Sequence, residues 1–270
     1  MAEKGKFYTH QRRSIFGKTG HLLLIASTYL FLWVPIVVLL VFSFNQESFP
    51  APWKGFTLQW YVELIDSVYL WKSFLNSLIV ALSATFISVL MGIFLIFFAA
   101  QGGRVGRYLN LFYGSIIIPE TVLAVSLLGF FGLISISLGL TTLIIGHTVL
   151  GLGFVIPMVY ARFQDLDYRL TEASLVLGAT PLQTFFKVTL PLLRPSLITS
   201  ALLVFIISFD DFILTYFTAG SSVQTLSIYI LSMIRSGISP VVNALSALLL
   251  FMSSLMALVY FQLSSRSKIF

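Results

Sequence analysis

Cysteine is absent from the 270-residue chain, which removes disulfide frameworks, thiolate metal sites and cysteine nucleophiles together. Charge is scarce: Asp, Glu, Lys and Arg make up 10% of the residues, less than half the roughly 25% of an average soluble domain. Too few charges remain to clothe a water-facing surface, so an ordinary soluble enzyme is excluded. A disordered regulator would be poor in aromatics, and this chain carries 26 Phe. What fills the sequence is apolar, with 58% hydrophobic residues and a mean hydropathy of +0.98. The composition is that of an integral membrane protein.

A hydrocarbon core about 30 Å thick needs about 20 apolar residues in a helix. Six segments qualify: Leu22–Phe44, Ser73–Phe98, Tyr108–Ile134 with Pro119-Glu120 in its middle, Leu138–Tyr160, Ser196–Thr218 and Val241–Leu263. Leu22–Phe44 is too long for the apolar part of a cleaved signal and no small-residue cleavage site follows, so it reads as a retained span. The runs are continuous, whereas strands of a membrane barrel alternate in polarity. The expected fold is all-α and polytopic, with six transmembrane helices. Its parts are a basic tail (1–21), the first span (22–44), an external amphipathic segment (45–72), a five-helix core (73–263) containing a loop (161–195), and a second tail (264–270).

Basic residues in the connections set the orientation. Lys4, Lys6, Arg12, Arg13 and Lys18 precede the first span, Arg104 and Arg107 follow the second, Arg162, Arg169, Lys187 and Arg194 follow the fourth, and Arg266 and Lys268 end the chain. The opposite side has only Lys54, Lys72 and Arg235. Both termini are therefore expected in the cytoplasm. The net charge of +6 is accounted for by topology and attraction to anionic lipid, which leaves nothing for a nucleic-acid partner to explain.

The 161–195 connection is the longest on the cytoplasmic side, and loops of that length generally carry structure and function. It reads as two short helices. Asp167 or Thr171 can cap the first, which runs through Glu172-Ala173-Ser174-Leu175-Val176-Leu177 to a left-handed Gly178. Thr180 caps the second, with Pro181 at its first position, and Pro191 and Pro195 are expected to end it. Leu175, Leu177, Leu182, Phe185 and Phe186 give it apolar surface; such a surface on a polar-rimmed element marks a protein–protein contact or packing on its own bundle.

Three acids lie in the spans: Glu120, Asp210 and Asp211. An Asp at a helix centre costs roughly 2.5–3.5 kcal/mol against lipid, and no Lys or Arg lies within the six spans to offset it. Adjacent helical residues point about 100° apart, so Asp210 and Asp211 face different surroundings. A cationic substrate resolves the charge, and Phe209, Phe212, Tyr216 and Phe217 add aromatic faces for an ammonium group. A structural role for one Asp is the other reading. The remaining features carry less. Gly17-Lys18-Thr19 imitates a phosphate-binding loop, but Arg12 stands where its first glycine is required, so no nucleotide site is expected. His10, His21 and His147 are scattered and make no metal site. No Ser-His-Asp arrangement is suggested, since the spans would have to bring Asp210 to His147, and no catalytic residue is assigned. Gly129, Gly132, Gly139, Gly146, Gly151 and Gly153 read as close helix packing. Tyr29, Trp33, Trp53, Trp60 and Trp71 suit the membrane interfaces.

Glu172-Ala173-Ser174, Gly178, Val188 and Leu190-Pro191, at their spacing, resemble the "EAA" loop of ABC importer permeases. The family pattern has a second Ala where this chain has Ser174, and usually Ile where it has Val188. Gly55-Phe56-Thr57-Leu58-Gln59-Trp60-Tyr61 ahead of Asn76-Ser77-Leu78, Phe209-Asp210-Asp211-Phe212, Ser239-Pro240 and Asn243-Ala244-Leu245 resemble most the second permease subunit of spermidine/putrescine importers. The resemblance covers residues 22–263. It implies the type I permease fold with cytoplasmic coupling helices, in a bacterial inner membrane. It also implies a similar second permease subunit, two ATPase subunits that hold ATP and Mg²⁺, and an external substrate-binding protein. Glu172, Ala173, Ser174, Gly178, Leu190 and Pro191 become ATPase-coupling residues, and Asp210, Asp211, Glu120, Phe209 and Tyr216 become pathway residues for a polyamine. The chain itself is then a transporter subunit without cofactor or metal, ATP hydrolysis falling to a partner. An ABC permease for ferric ion, phosphonate or sulfate, or a stand-alone secondary transporter, are the alternatives.

Overall fold

The computed structural model describes residues 18–47, 52–235 and 240–267. Lys4, Lys6, His10, Arg12, Arg13, Gly17, Ser239 and Lys268 lie outside them. In chain order the helices are α1 (Lys18–Phe42), α2 (Gln59–Asp66), α3 (Val68–Ala100), α4 (Leu109–Ile117), α5 (Glu120–Leu133), α6 (Leu140–Gln164), α7 (Tyr168–Val176), α8 (Pro181–Thr184), α9 (Leu190–Asp210), α10 (Ile213–Thr218), α11 (Leu226–Arg235) and α12 (Pro240–Ser267). Among the described residues extended pairing is confined to one isolated bridge, Asn45–Phe56. The chain divides into two compact units, residues 1–65 with 238–270, and residues 66–237.

In the first unit α1 packs on α12. α1 is apolar on every side, and no residue of its most apolar stretch is buried, so it depends on lipid or other protein for its stability. A tight loop follows it. The Asn45 side chain donates to the carbonyls of Glu47 (2.9 Å) and Pro52 (3.3 Å) and accepts from the Lys54 N–H (2.9 Å). Trp60 Nε1 donates to the Asn45 carbonyl (2.8 Å) and the Ser43 and Tyr61 hydroxyls meet at 2.7 Å, while Phe44 stacks on Phe56. The loop's polar backbone is thereby satisfied close to the bilayer, as an apolar surround demands.

The second unit is built on α3, α6 and α9, which pack against one another. Ile96, Val155, Val159, Phe185, Leu193, Leu197 and Val204 form its main core. Gly151 permits a close approach of all three: a Cβ there would lie 2.5 Å from Ser88 Oγ and 2.8 Å from Val204 Cγ1. Gly146 and Gly153 also face neighbours, in keeping with close packing. Gly129 and Gly132 do not, since nothing lies within 4 Å of a Cβ built on either; for those two the packing reading is corrected.

Four helical stretches are long and apolar enough to cross a membrane: 20–42, 68–100, 140–164 and 181–210. A fifth is counted if α4 and α5, with the short turn before them, form one span bent by 106°. The apolar part of α12 within the described residues, Pro240–Leu255, is shorter. The expected span Ser196–Thr218 needs correction at both ends. Helix runs back to Pro181 and stops at Asp210, and two non-helical residues separate it from α10. Pro191 and Pro195 do not terminate it: a π-helical turn at Phe185–Thr189 precedes Pro191, and such a turn widens the helix where the proline ring would meet the carbonyl four residues back.

Candidate functional site

Two breaks in the apolar helices meet. At the first, Ile118 and Pro119 are extended (ψ 134° at each), and α5 begins with Glu120, whose carboxylate suits the positive end of the helix dipole. At the second, α9 ends at Asp210 and Asp211 is extended (φ −62°, ψ 132°). The Asp211 carboxylate turns onto the start of α10, accepting from the N–H groups of Thr215 (2.8 Å) and Leu214 (3.3 Å) and from Thr215 Oγ1 (3.0 Å). It thus fills the role of an N-cap. Its own carbonyl, freed by the break, accepts from Ser227 Oγ at 2.6 Å. α5 packs on α10, and the Glu120 carboxyl faces that of Asp211.

The structure therefore brings Glu120 and Asp211 together and gives the two aspartates different surroundings. Asp211 is buried and fully engaged. Asp210 is exposed at the negative end of the α9 dipole, where an anion is disfavoured and a bound cation would be welcome. Glu120 is half-buried. Phe209 turns away to α3, edge-on to Phe74 and stacked on Phe205, both at 5.8 Å, so its surface is largely spent on packing. Tyr216 is exposed on α10, against Phe212 and Phe217.

His147 of α6 is buried behind the second break, as a hydrogen-bonded core residue. Its Nδ1 lies 3.0 Å from Ser208 Oγ, its Nε2 3.2 Å from Thr215 Oγ1, and Nε2 is 3.6 Å from Asp211 Oδ2. A Ser-His-Asp arrangement thus exists where none was suggested, because Asp211 rather than Asp210 reaches the imidazole. It is no hydrolytic centre. Ser208 is 5% and His147 1% exposed, and the gap beside them is too small for a water molecule. Sequence reasoning missed Ser208 and Thr215 as partners. The available signal was His147 itself: a lone imidazole in an apolar span needs a partner for each nitrogen.

The 161–195 loop folds as its local signals dictate. Asp167 caps α7 through the Arg169 N–H (3.0 Å), Gly178 is left-handed (φ 88°), and Thr180 and Gln183 form a capping box over α8 (3.2 and 3.0 Å). The Ser174 and Thr184 hydroxyls join α7 to α8 at 2.9 Å. Phe185 takes the second of the two readings, packing on its own bundle: it is 2% exposed and sits edge-on to Phe97 of α3 at 5.0 Å. Val176 and Leu177, by contrast, are 86% and 87% exposed. Glu172, Ala173 and Gly178 are exposed, Ser174 and Leu190 half-buried, and Pro191 exposed. One edge of the loop is anchored in the core and the other presents bare apolar surface. α9 begins within this loop at Leu190 and runs 21 residues to Asp210, about 30 Å at 1.5 Å per residue.

Residues 70–267 match the family of binding-protein-dependent transport system inner membrane components. The chain is similar to the spermidine/putrescine transport system permease protein PotC of Escherichia coli strain K12, 35% identical over 242 residues, 89% of this chain and 91% of that one. It is also similar to the putrescine transport system permease protein PotI of the same strain, 28% identical over 250 residues and 89% of each. In fold it resembles a chain of a bacterial ABC transporter involved in the import of the acidic polysaccharide alginate, with TM-score 0.69, 18% identity, and coverage of 94% of this chain and 99% of that one.

Proposed function

We propose that this chain, which belongs to the family of binding-protein-dependent transport system inner membrane components, forms half of the translocation pathway of an ATP-driven polyamine importer. It is a multi-pass inner-membrane protein and a transporter subunit rather than an enzyme. The observation that carries the substrate class is the meeting of two helix breaks that bear Glu120, Asp210 and Asp211. Broken spans are where transporters place binding groups inside the membrane, and three carboxyl groups there call for a cation. A polyamine spaces its ammonium groups along methylene chains, so it needs separated acids with apolar or aromatic surface between them. Asp210 and Glu120 line the pathway, Tyr216 offers a ring face worth about 0.5–2 kcal/mol to an ammonium, and Asp211 holds the break in shape. The named substrates of the relatives, spermidine and putrescine, support this reading.

The partners follow from the same assignment. A similar permease subunit supplies the other half of the pathway, and an external binding protein delivers the substrate. Both termini and the 161–195 loop face the cytoplasm, where two ATPase subunits hold ATP and Mg²⁺. Glu172, Ala173, Ser174, Gly178, Leu190 and Pro191 form the contact through which ATPase closure reaches the membrane, with Val176 and Leu177 as its apolar centre. A switch of this kind requires contacts that differ between its two states.

Reconstitution tests it. Vesicles holding this chain with its second permease and ATPase are expected to take up labelled spermidine or putrescine only with ATP inside and loaded binding protein outside. Uptake of sulfate or phosphonate without either polyamine overturns the substrate assignment. Gradient-driven polyamine uptake by vesicles holding this chain alone overturns the coupled mechanism.

A further inference from the structure

α10 has six residues, Ile213–Thr218, far below the roughly 12–15 needed for a helix to hold itself together. Its attachment to α9 runs through Asp211 and Phe212, neither of them helical. The orientation of α10 relative to α9, whose last residue is Asp210, is therefore set by side-chain bonds across the break and by packing on neighbouring helices. One ring meets both fragments. His147 of α6 reaches Ser208, in the last turn of α9, through Nδ1, and Thr215, in the first turn of α10, through Nε2.

The donors and acceptors close in one direction. Thr215 Oγ1 donates to Asp211 Oδ2, so its hydroxyl has only acceptor capacity left for the imidazole. Nε2 then carries the ring proton and donates to Thr215, Nδ1 accepts, and Ser208 donates to it. Ser208, His147, Thr215 and Asp211 thus form one continuous hydrogen-bonded chain, and the gap beside Ser208 and His147 admits no water.

We infer that His147 is a positioning residue: it clamps α9 and α10 at a fixed angle across the break and so fixes Asp210, at the end of α9, relative to Tyr216 on α10. The link to transport rests on reading the break as part of that pathway, whereas the clamp itself does not. Leu in place of His147 is close in volume and orphans little, because Ser208 can bond a carbonyl of its own helix and Asp211 keeps the two N–H groups and one hydroxyl of α10.

The test uses the whole importer. The chain has no cysteine, so spin labels at Leu202→Cys and Ser221→Cys, both exposed sites, read the distance across the break once any partner cysteines are replaced. His147→Leu is expected to broaden that distance distribution about twofold and to lower polyamine imported per ATP about fivefold, a change within the range of coupling-network substitutions. His147→Gln, with one donor and one acceptor, is expected to restore both. A distribution as narrow in His147→Leu as in the parent overturns the clamp, whatever happens to import. A broadened distribution with unchanged import per ATP upholds the clamp and overturns the pathway reading. Should His147→Leu fail to assemble, Ser208→Ala removes the α9 arm alone and is judged by the same two readouts.

Discussion

Asp210 and Asp211 are the same residue type, adjacent in sequence, and the fold assigns them opposite tasks. Asp211 spends its carboxylate on the first turn of α10, so Asp211→Ala leaves two backbone N–H groups and the Thr215 hydroxyl without their acceptor. The expected loss is about 2 kcal/mol of stability, seen as a lowered thermal midpoint of the purified complex. Asp210 makes its contribution only when a cation is present. Asp210→Asn is expected to leave the midpoint unchanged and to reduce polyamine uptake about tenfold, equivalent to about 1.4 kcal/mol. Uptake at the parental rate in Asp210→Asn, or an unaltered midpoint in Asp211→Ala, would reverse the assignment of the pair.

At the level of elements, the loop between α6 and α9 is pinned by one aromatic and free at the other edge. Phe185 is packed on Phe97 within the core, so Phe185→Ala is expected to destabilise the chain by about 3–5 kcal/mol, measured as loss of folded protein on mild heating in detergent. Leu177 is bare, and Leu177→Asp is expected to leave that measure alone while abolishing co-purification of the ATPase. The same contrast explains what could be read from sequence. Caps at Asp167 and Thr180, the left-handed Gly178 and Pro181 at a helix start are local matters of backbone geometry and hydrogen-bond accounting, so residue order is enough to find them. Which of Phe185, Phe186 and Leu177 faces inward depends on α3, which lies some eighty residues earlier. The break at Asp211 was hidden for a related reason. Ser196–Thr218 is apolar enough to read as one span, and the groups that make a gap in it tolerable include His147 and Ser227, which lie outside that stretch. Pro191 and Pro195 misled because a π turn upstream can absorb a proline that would end an ordinary helix.

Across the molecule, the question is how events at the loop reach the acids. α9 is the direct connection: helix runs unbroken from Pro181 to Asp210, with the loop at one end and the second break at the other. Packed helices move as rigid bodies with discrete arrangements rather than deforming smoothly, so a push on the loop should appear at Asp210 only as far as α9 stays stiff. Two exposed positions near its middle, Ile198 and Thr199, allow that stiffness to be changed with little loss of packing. Glycine at both weakens the helix by about 1 kcal/mol per site relative to alanine. The double variant Ile198→Gly/Thr199→Gly is expected to bind the ATPase and hydrolyse ATP while importing several-fold less polyamine per ATP than the Ile198→Ala/Thr199→Ala control. Equal import per ATP in the two variants would mean that α9 does not carry the signal, leaving the contact of Phe185 with Phe97 on α3 as the route by which the loop drives the membrane helices.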